Sequence, residues 1–218
     1  MHAIALLAAA SAHLQVPAEV DPAALRDADL VFHTSTSTQA QAIVWATASP
    51  YAHVGLVERQ GEQVYVLEAV QPVKRTAWAA WTRRGLGGHV TVMRHPGLDD
   101  PARTAILARA RRYLGRPYDL TFAPGDDRLY CSELIYLAFA AVGVHLGTWT
   151  PASELGLSSP PVQALLRRRW RSHPACAGAS SLAACMPALG RTEIVTPASL
   201  RGDPRLTLVA SSYPPTLR

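Results

Sequence analysis

Residues 130–142 (YCSELIYLAFAAV) are the most constraining stretch of this 218-residue chain. Glu133 is the only charged side chain in the run, and no continuous polar face appears at the 3.6-residue period. A helix that is hydrophobic almost all round has to be covered on every side. This one is therefore expected at the centre of a fold, closed by Gly143. Composition supplies the cover, since 49% hydrophobic and 17% charged residues fit a globular chain with a real core.

The covering elements read as a mixture of strands and helices. Residues 52–58 (AHVGLVE) and 63–69 (QVYVLEA) alternate as strands do, and Gln60-Gly61 between them suits a tight hairpin turn, glycine supplying the positive φ. Residues 29–34 (DLVFHT), 89–94 (HVTVMR), 194–196 and 206–210 read as further short strands. Helices are expected over 38–48, ended by Ser49-Pro50, over 76–84, and over 101–114, which starts on Pro101 and stops before Gly115. The fold class is α+β, with no internal repeat.

Cys131 opens the central helix. Free backbone N–H groups and the positive end of the helix dipole favour a thiolate there, and the thiolate is the attacking species. A buried structural cysteine is the other reading of the same position. His53 begins an alternating strand, and a hairpin centred on Gln60-Gly61 sets Glu68 directly across from it. A carboxylate beside an imidazole fixes its tautomer and raises its basicity, the orienting role of a triad's third member. Glu68 also interrupts an apolar run, so it needs a partner, and His53 supplies one. A one-residue slip in register would separate them.

Other chemistries find little support. There is no HExxH, CxxC or close His/carboxylate cluster for a metal, no phosphate-binding glycine loop, and no GxSxG elbow. No cofactor is expected. His2, His13, His33, His89, His95, His145 and His173 are scattered singly and read as bystanders. The arginines at 167, 168, 169 and 171 read as a solvated helix face, with a polymer-binding patch as the alternative. The net charge of +5 is almost wholly arginine, Lys74 being the only lysine, and suits an anionic polymer or lipid headgroup. No zinc-finger, helix-turn-helix or RNP pattern accompanies it, so nucleic acid is not an expected partner.

Residues 1–12 (MHAIALLAAASA) carry an apolar stretch and a small-x-small site at Ala10-Ser11-Ala12, and read as a short secretory signal or as an apolar N-terminal helix. No apolar run approaches the roughly 18 residues that cross a bilayer. Cys176 and Cys185 lie in a loop rich in small residues and could close a disulfide ring, leaving Cys131 as the free thiol. Both features point to an exported, periplasmic or cell-envelope location.

The segments DLVFHTSTSTQAQAIVWAT, SPYAHVGLVE, YVLEAV, GRPYDLTF, LYCSELIYLAF and TPASL, in that order, resemble the YiiX/YebB-like permuted papain-like, NlpC-related proteins. In that group the histidine precedes the cysteine, as here. The resemblance implies a circularly permuted papain-like fold, the cysteine helix packed on a small antiparallel sheet, and a triad of Cys131, His53 and Glu68. Gln39 and Tyr118 fall in matching segments and are expected to line the substrate pocket. The activity implied is thiol-dependent cleavage of amide bonds in cell-wall peptides; acyl transfer or hydrolysis on lipids, and a non-catalytic envelope-binding module, are the alternatives. Residues 1–26 then read as signal and lead, and 27–218 as one catalytic domain with a helical, cysteine-bearing excursion at about 155–192.

Overall fold

The computed structural model describes residues 20–123, 125 and 127–214. The signal expected at residues 1–12 lies outside them. In chain order the elements are β1 (Leu30–His33), α1 (Thr38–Thr47), β2 (His53–Gln60), β3 (Gln63–Glu68), β4 (Lys74–Ala77), α2 (Trp78–Thr82), β5 (Thr91–Arg94) and α3 (Asp100–Arg111). They continue with α4 (Cys131–Ala140), β6 (Trp149–Pro151), α5 (Pro160–Arg169), α6 (Leu182–Gly190), β7 (Glu193–Val195), α7 (Pro197–Arg201) and β8 (Thr207–Ser211). Six strands form one antiparallel sheet in the order β4-β3-β2-β1-β5-β8, and β6 pairs with β7 in a small second sheet.

Strand alternation assigns the two faces of the large sheet. Leu30, Phe32, Val54, Leu56, Leu67 and Met93 face one way and pack under α3 and α4 through Ile106, Leu107, Leu134, Ile135 and Phe139. Val31, Val57, Val64, Val66 and Val92 face the other way, where Trp81 of α2 and the lead residues Val20 and Leu25 cover them. The central helix is therefore covered as its composition demands, with Leu134, Ile135, Ala138 and Phe139 all fully buried. Buried Glu58 on β2 ties α3 to the sheet, its carboxylate accepting from Arg111 at 2.5 Å and pairing with Arg75 on β4.

The hairpin is one residue off the expected position. Gln60 pairs with Gln63, so the turn is Gly61-Glu62, with Gly61 at φ +63°. Continuing that register sets Glu68 against Gly55 rather than against His53. His53 and Glu68 are diagonal neighbours, two residues displaced along the partner strand. Moving the centre by one residue changes every pairing by two, and a shift of two keeps each side chain on its face. The segment expected to be helical around 76–84 divides into the end of β4 and α2, because Thr76 and Ala77 pair with β3.

Gly55 is fixed by close approach. A Cβ there would lie 2.3 Å from Val66 Cγ1 and 3.5 Å from Trp81 Nε1. Gly55→Ala is expected to destabilise the protein by about 1–3 kcal/mol through overpacking. Urea unfolding with an unchanged m-value checks this, and an unchanged midpoint would refute it.

The excursion is a satellite core of its own. Trp170, Cys176, Cys185 and Leu189 are buried together, with Leu166, Leu182 and Met186 packed against them. Cys176 and Cys185 form a disulfide, Cα atoms 5.2 Å apart, leaving Cys131 as a free thiol. The loop expected there is in part helix, since Cys185 sits on α6. Gly156 anchors the excursion on α1, donating to Ala46 O at 2.8 Å where a Cβ would meet Trp45 O at 2.7 Å. Replacing both cysteines by alanine is expected to cost about 2–3 kcal/mol by the loop-closure relation. The loss should be confined to α5–α6, with hydrogen exchange accelerated there and unchanged in α4.

Candidate active site

Cys131 stands at the first position of α4, 2% exposed, where its helix start is built by contacts from distant segments. Ser132 Oγ donates to Val195 O at 2.8 Å, and the N–H of Val195 donates to Tyr130 Oη at 3.3 Å, so β7 is fastened to the start of the helix. The backbone N–H groups of Val54 and Ser132 lie close enough to favour negative charge on the sulfur.

His53 reaches this sulfur from the first residue of β2. Its Nε2 donates to Glu68 Oε2 at 2.7 Å, which leaves Nδ1 available to the Cys131 thiol close by. Glu68 is fully buried and carries two further partners. Thr76 Oγ1 donates to Oε1 at 2.5 Å, and Arg84 Nη2 donates to both oxygens, at 2.6 and 2.5 Å.

The electrostatics follow from these contacts. Burial opposes charge on His53, but the hydrogen bonds and negative charges of Cys131 and Glu68 outweigh it and raise its pKa to about 9. Burial likewise opposes ionisation of Glu68, and His53, Arg84 and Thr76 overcome it, holding the carboxyl at about 2. Burial alone would raise the Cys131 thiol; the His53 hydrogen bond and charge, with the N–H groups of Val54 and Ser132, bring it below the usual thiol range. The favoured state is a thiolate beside an imidazolium, backed by a carboxylate.

Several neighbours were not legible as site residues. His33, expected as a bystander, sits directly across from His53 in the β1–β2 register, the rings 5.2 Å apart. It stacks on Trp81 at 4.1 Å, and burial, followed by the charges of His53 and Arg84, holds it well below the ordinary imidazole range. It is a neutral wall behind the pair. Arg84 and Thr76 carried no sequence signal, being ordinary surface types on a loop and a short strand.

Gln39 and Tyr118 do come together. Gln39 Nε2 donates to Tyr118 Oη at 2.8 Å, and Arg169 Nη1 donates to Gln39 Oε1 at 2.9 Å. All three border a polar cleft that His53, Arg84 and His33 also line. Arg169 thus departs from the expected solvated face, whereas Arg167, Arg168 and Arg171 are exposed. A second cavity, of about 130 Å³, opens beside Cys131 and is almost wholly apolar, with Ile43 and Ala46 of α1, Leu165 and Leu166 of α5, Leu189 and Ile194 among its walls.

The pattern of the family described as permuted papain-like amidase enzyme, YaeF/YiiX, C92 family, matches residues 24–210. The chain belongs to this family. It is 36% identical over 188 residues to the uncharacterized protein YiiX of Escherichia coli strain K12, covering 85% of this chain and 86% of YiiX. A crystal structure of the metalloprotein YiiX from Escherichia coli O157:H7 superposes with a TM-score of 0.76 at 34% identity, covering 87% of this chain and 98% of that one. The fold is thus the circularly permuted papain-like one, with an antiparallel sheet against the cysteine helix. The protein is a cysteine amidase- or peptidase-like hydrolase, and an amidase family implies a peptide-type substrate. No helix among the described residues is long and apolar enough to cross a membrane.

Proposed function

We propose that this C92-family protein cleaves amide bonds in cell-wall peptides through a thioester on Cys131, with His53 as acid and base and Glu68 as its orienting carboxylate. One observation carries the reading. A single imidazole stands close to a thiol at a helix start and is hydrogen-bonded to a buried carboxylate. The thiolate attacks the carbonyl carbon, and backbone N–H groups at the start of α4, that of Cys131 included, receive the oxyanion. The His53 imidazolium gives its proton to the departing amine. Neutral His53 then takes a proton from water, the hydroxide attacks the thioester, and the carboxylic acid leaves as Cys131 is regenerated. Gln39 and Tyr118 line the substrate side of this centre.

A second reading has an observation of its own. The apolar cavity bordering Cys131 suits a hydrophobic acyl group, as a lipid acyltransferase or thioesterase would require of the same triad. Incubating the protein with muropeptides and with phospholipid vesicles, and reading products by mass spectrometry, separates the two. New amine and carboxyl termini in the peptides support amide cleavage; lysophospholipid or fatty acid supports the lipid reading. No turnover of either leaves the site as an envelope-binding module.

YiiX of O157:H7 is a metalloprotein by description. Here both oxygens of Glu68 are engaged by His53, Thr76 and Arg84, whose guanidinium also repels a cation. Among the described residues no group of three or more His, Cys, Asp or Glu is placed to hold a metal ion. These side chains do not fit a metal at the centre, and none of the steps uses one. Export to the cell envelope remains part of the proposal, supported by the apolar start of the sequence and by the 176–185 disulfide.

A further inference from the structure

The polar cleft beside His53, about 480 Å³, is lined by two guanidinium groups, Arg84 and Arg169, and by no acidic residue among those described. Glu68 lies behind His53 and is already paired. Arg169 is half-buried and has no carboxylate partner among the described residues. Only its Nη1 is used, donating to Gln39 Oε1 at 2.9 Å and to Leu120 O at 3.2 Å. Its remaining N–H groups, like the Nε and Nη1 of Arg84, have no hydrogen-bond partner among the described residues. Burying a guanidinium without an anion is costly, and removal from water pulls this one below its ordinary pKa. Buried Tyr118, which accepts from Gln39 at 2.8 Å, is close enough to both Cys131 and Arg169 for their charges to act on it.

We propose that Arg169, delivered by α5 of the excursion and oriented by Gln39, binds an anionic group of the substrate, a carboxylate or a phosphate, within a few bonds of the acyl carbon that Cys131 attacks. The proposal deepens the thiolate reading above and rests on it. A planar guanidinium with open donors matches either anion by paired hydrogen bonds. Arg84 is already paired with the Glu68 carboxylate, so Arg169 is the guanidinium of the cleft left without a counter-ion among the described residues. The excursion then sets specificity. Its α5 gives Leu165 and Leu166 to the apolar cavity and Arg169 to the polar cleft, which fits a substrate with an apolar and an anionic side.

Three alkylating reagents with the same bromoacetyl head test this without knowledge of the substrate: bromoacetyl-β-alanine, bromoacetyl-2-aminoethylphosphonate and the neutral bromoacetyl-β-alaninamide. In each, the Cys131 sulfur forms a bond to the methylene carbon and bromide leaves. The readout is the rate of Cys131 labelling by each anionic reagent relative to the neutral one, normalised to free cysteine. The wild type is expected to favour at least one anionic reagent by about tenfold, the size of one charge-assisted hydrogen-bonded contact. Arg169→Gln should bring the anionic-to-neutral ratio down to about one, and Arg169→Lys should keep part of the preference. The reagent with the larger Arg169-dependent factor identifies carboxylate or phosphate as the group recognised. An anionic-to-neutral ratio equal in the wild type and both variants overturns the proposal, as does a fall for all three reagents alike. Labelling no faster than free cysteine by any reagent would instead overturn the thiolate reading, and the proposal with it.

Discussion

Cys131→Ala is expected to abolish turnover, lowering kcat by at least about a thousandfold, because the proposed acyl-enzyme forms on its sulfur and the neighbouring Ser132 hydroxyl is committed to Val195 O. His53→Ala should cost a similar factor and, in addition, change the titration of the thiol. In the wild type, Cys131 ionises below the usual thiol range while His53 keeps its proton up to about 9. Iodoacetamide should therefore alkylate Cys131 much faster than free cysteine at pH 6.5. Removing the imidazolium leaves burial to act on the thiol with only backbone donors against it, so the labelling rate of His53→Ala should rise only in alkaline solution. A wild-type Cys131 that titrates as an ordinary free thiol would count against catalysis and for a binding module. The measurement needs only the purified protein and a mass spectrometer, with Cys176 and Cys185 protected by their disulfide.

Glu68→Ala is expected to be the most destabilising change at the site. The carboxylate is fully buried and accepts from His53, Thr76 and Arg84 at once. Its removal strands a guanidinium and an imidazole beside an apolar wall, a loss of about 3–5 kcal/mol for a broken buried pair. For a chain of this length that lowers Tm by roughly 10 °C. The pH dependence has a definite sign. The folded carboxyl is held at about 2 against an ordinary 4.5, so its stabilisation is fully present above 4.5 and is lost as pH falls toward 2. His53 works oppositely: raised to about 9 from 6.5, it stabilises below 6.5 and that contribution disappears as pH rises through 9. The wild type should thus lose more stability than Glu68→Ala between pH 4.5 and 2. Parallel acid profiles for the two proteins would show that Glu68 is not the ionised partner described.

Much of this arrangement was legible in the sequence, and the reason is local periodicity. The almost wholly apolar run marked α4 as a central helix, and the residue at its first turn is Cys131. Alternation placed His53 and Glu68 on one face of β2 and β3, and it did so although the turn was expected one residue early. A period of two makes face assignment insensitive to a register change of two, while the direct cross-strand pairing is not. The order histidine, carboxylate, cysteine carried the family resemblance, which the family pattern over residues 24–210 then established.

What the tertiary structure alone decided are contacts between segments far apart in the chain. Thr76 and Arg84 close on Glu68 because β4 pairs with β3 and α2 folds back across them; no spacing in the sequence marks either residue. His33 stands beside His53 because β1 and β2 are neighbours in that register, and Gly55 is a glycine because Val66 and Trp81 come down on it. Arg169 belongs to a cluster that reads as a solvated face, and only the docking of the excursion on α1 turns this one guanidinium inward. A sequence records the period of an element and so the face each residue shares. Which other element meets that face is fixed by packing of the whole chain, and that is where the carboxylate's partners, the cleft's cations and the apolar cavity beside Cys131 are settled.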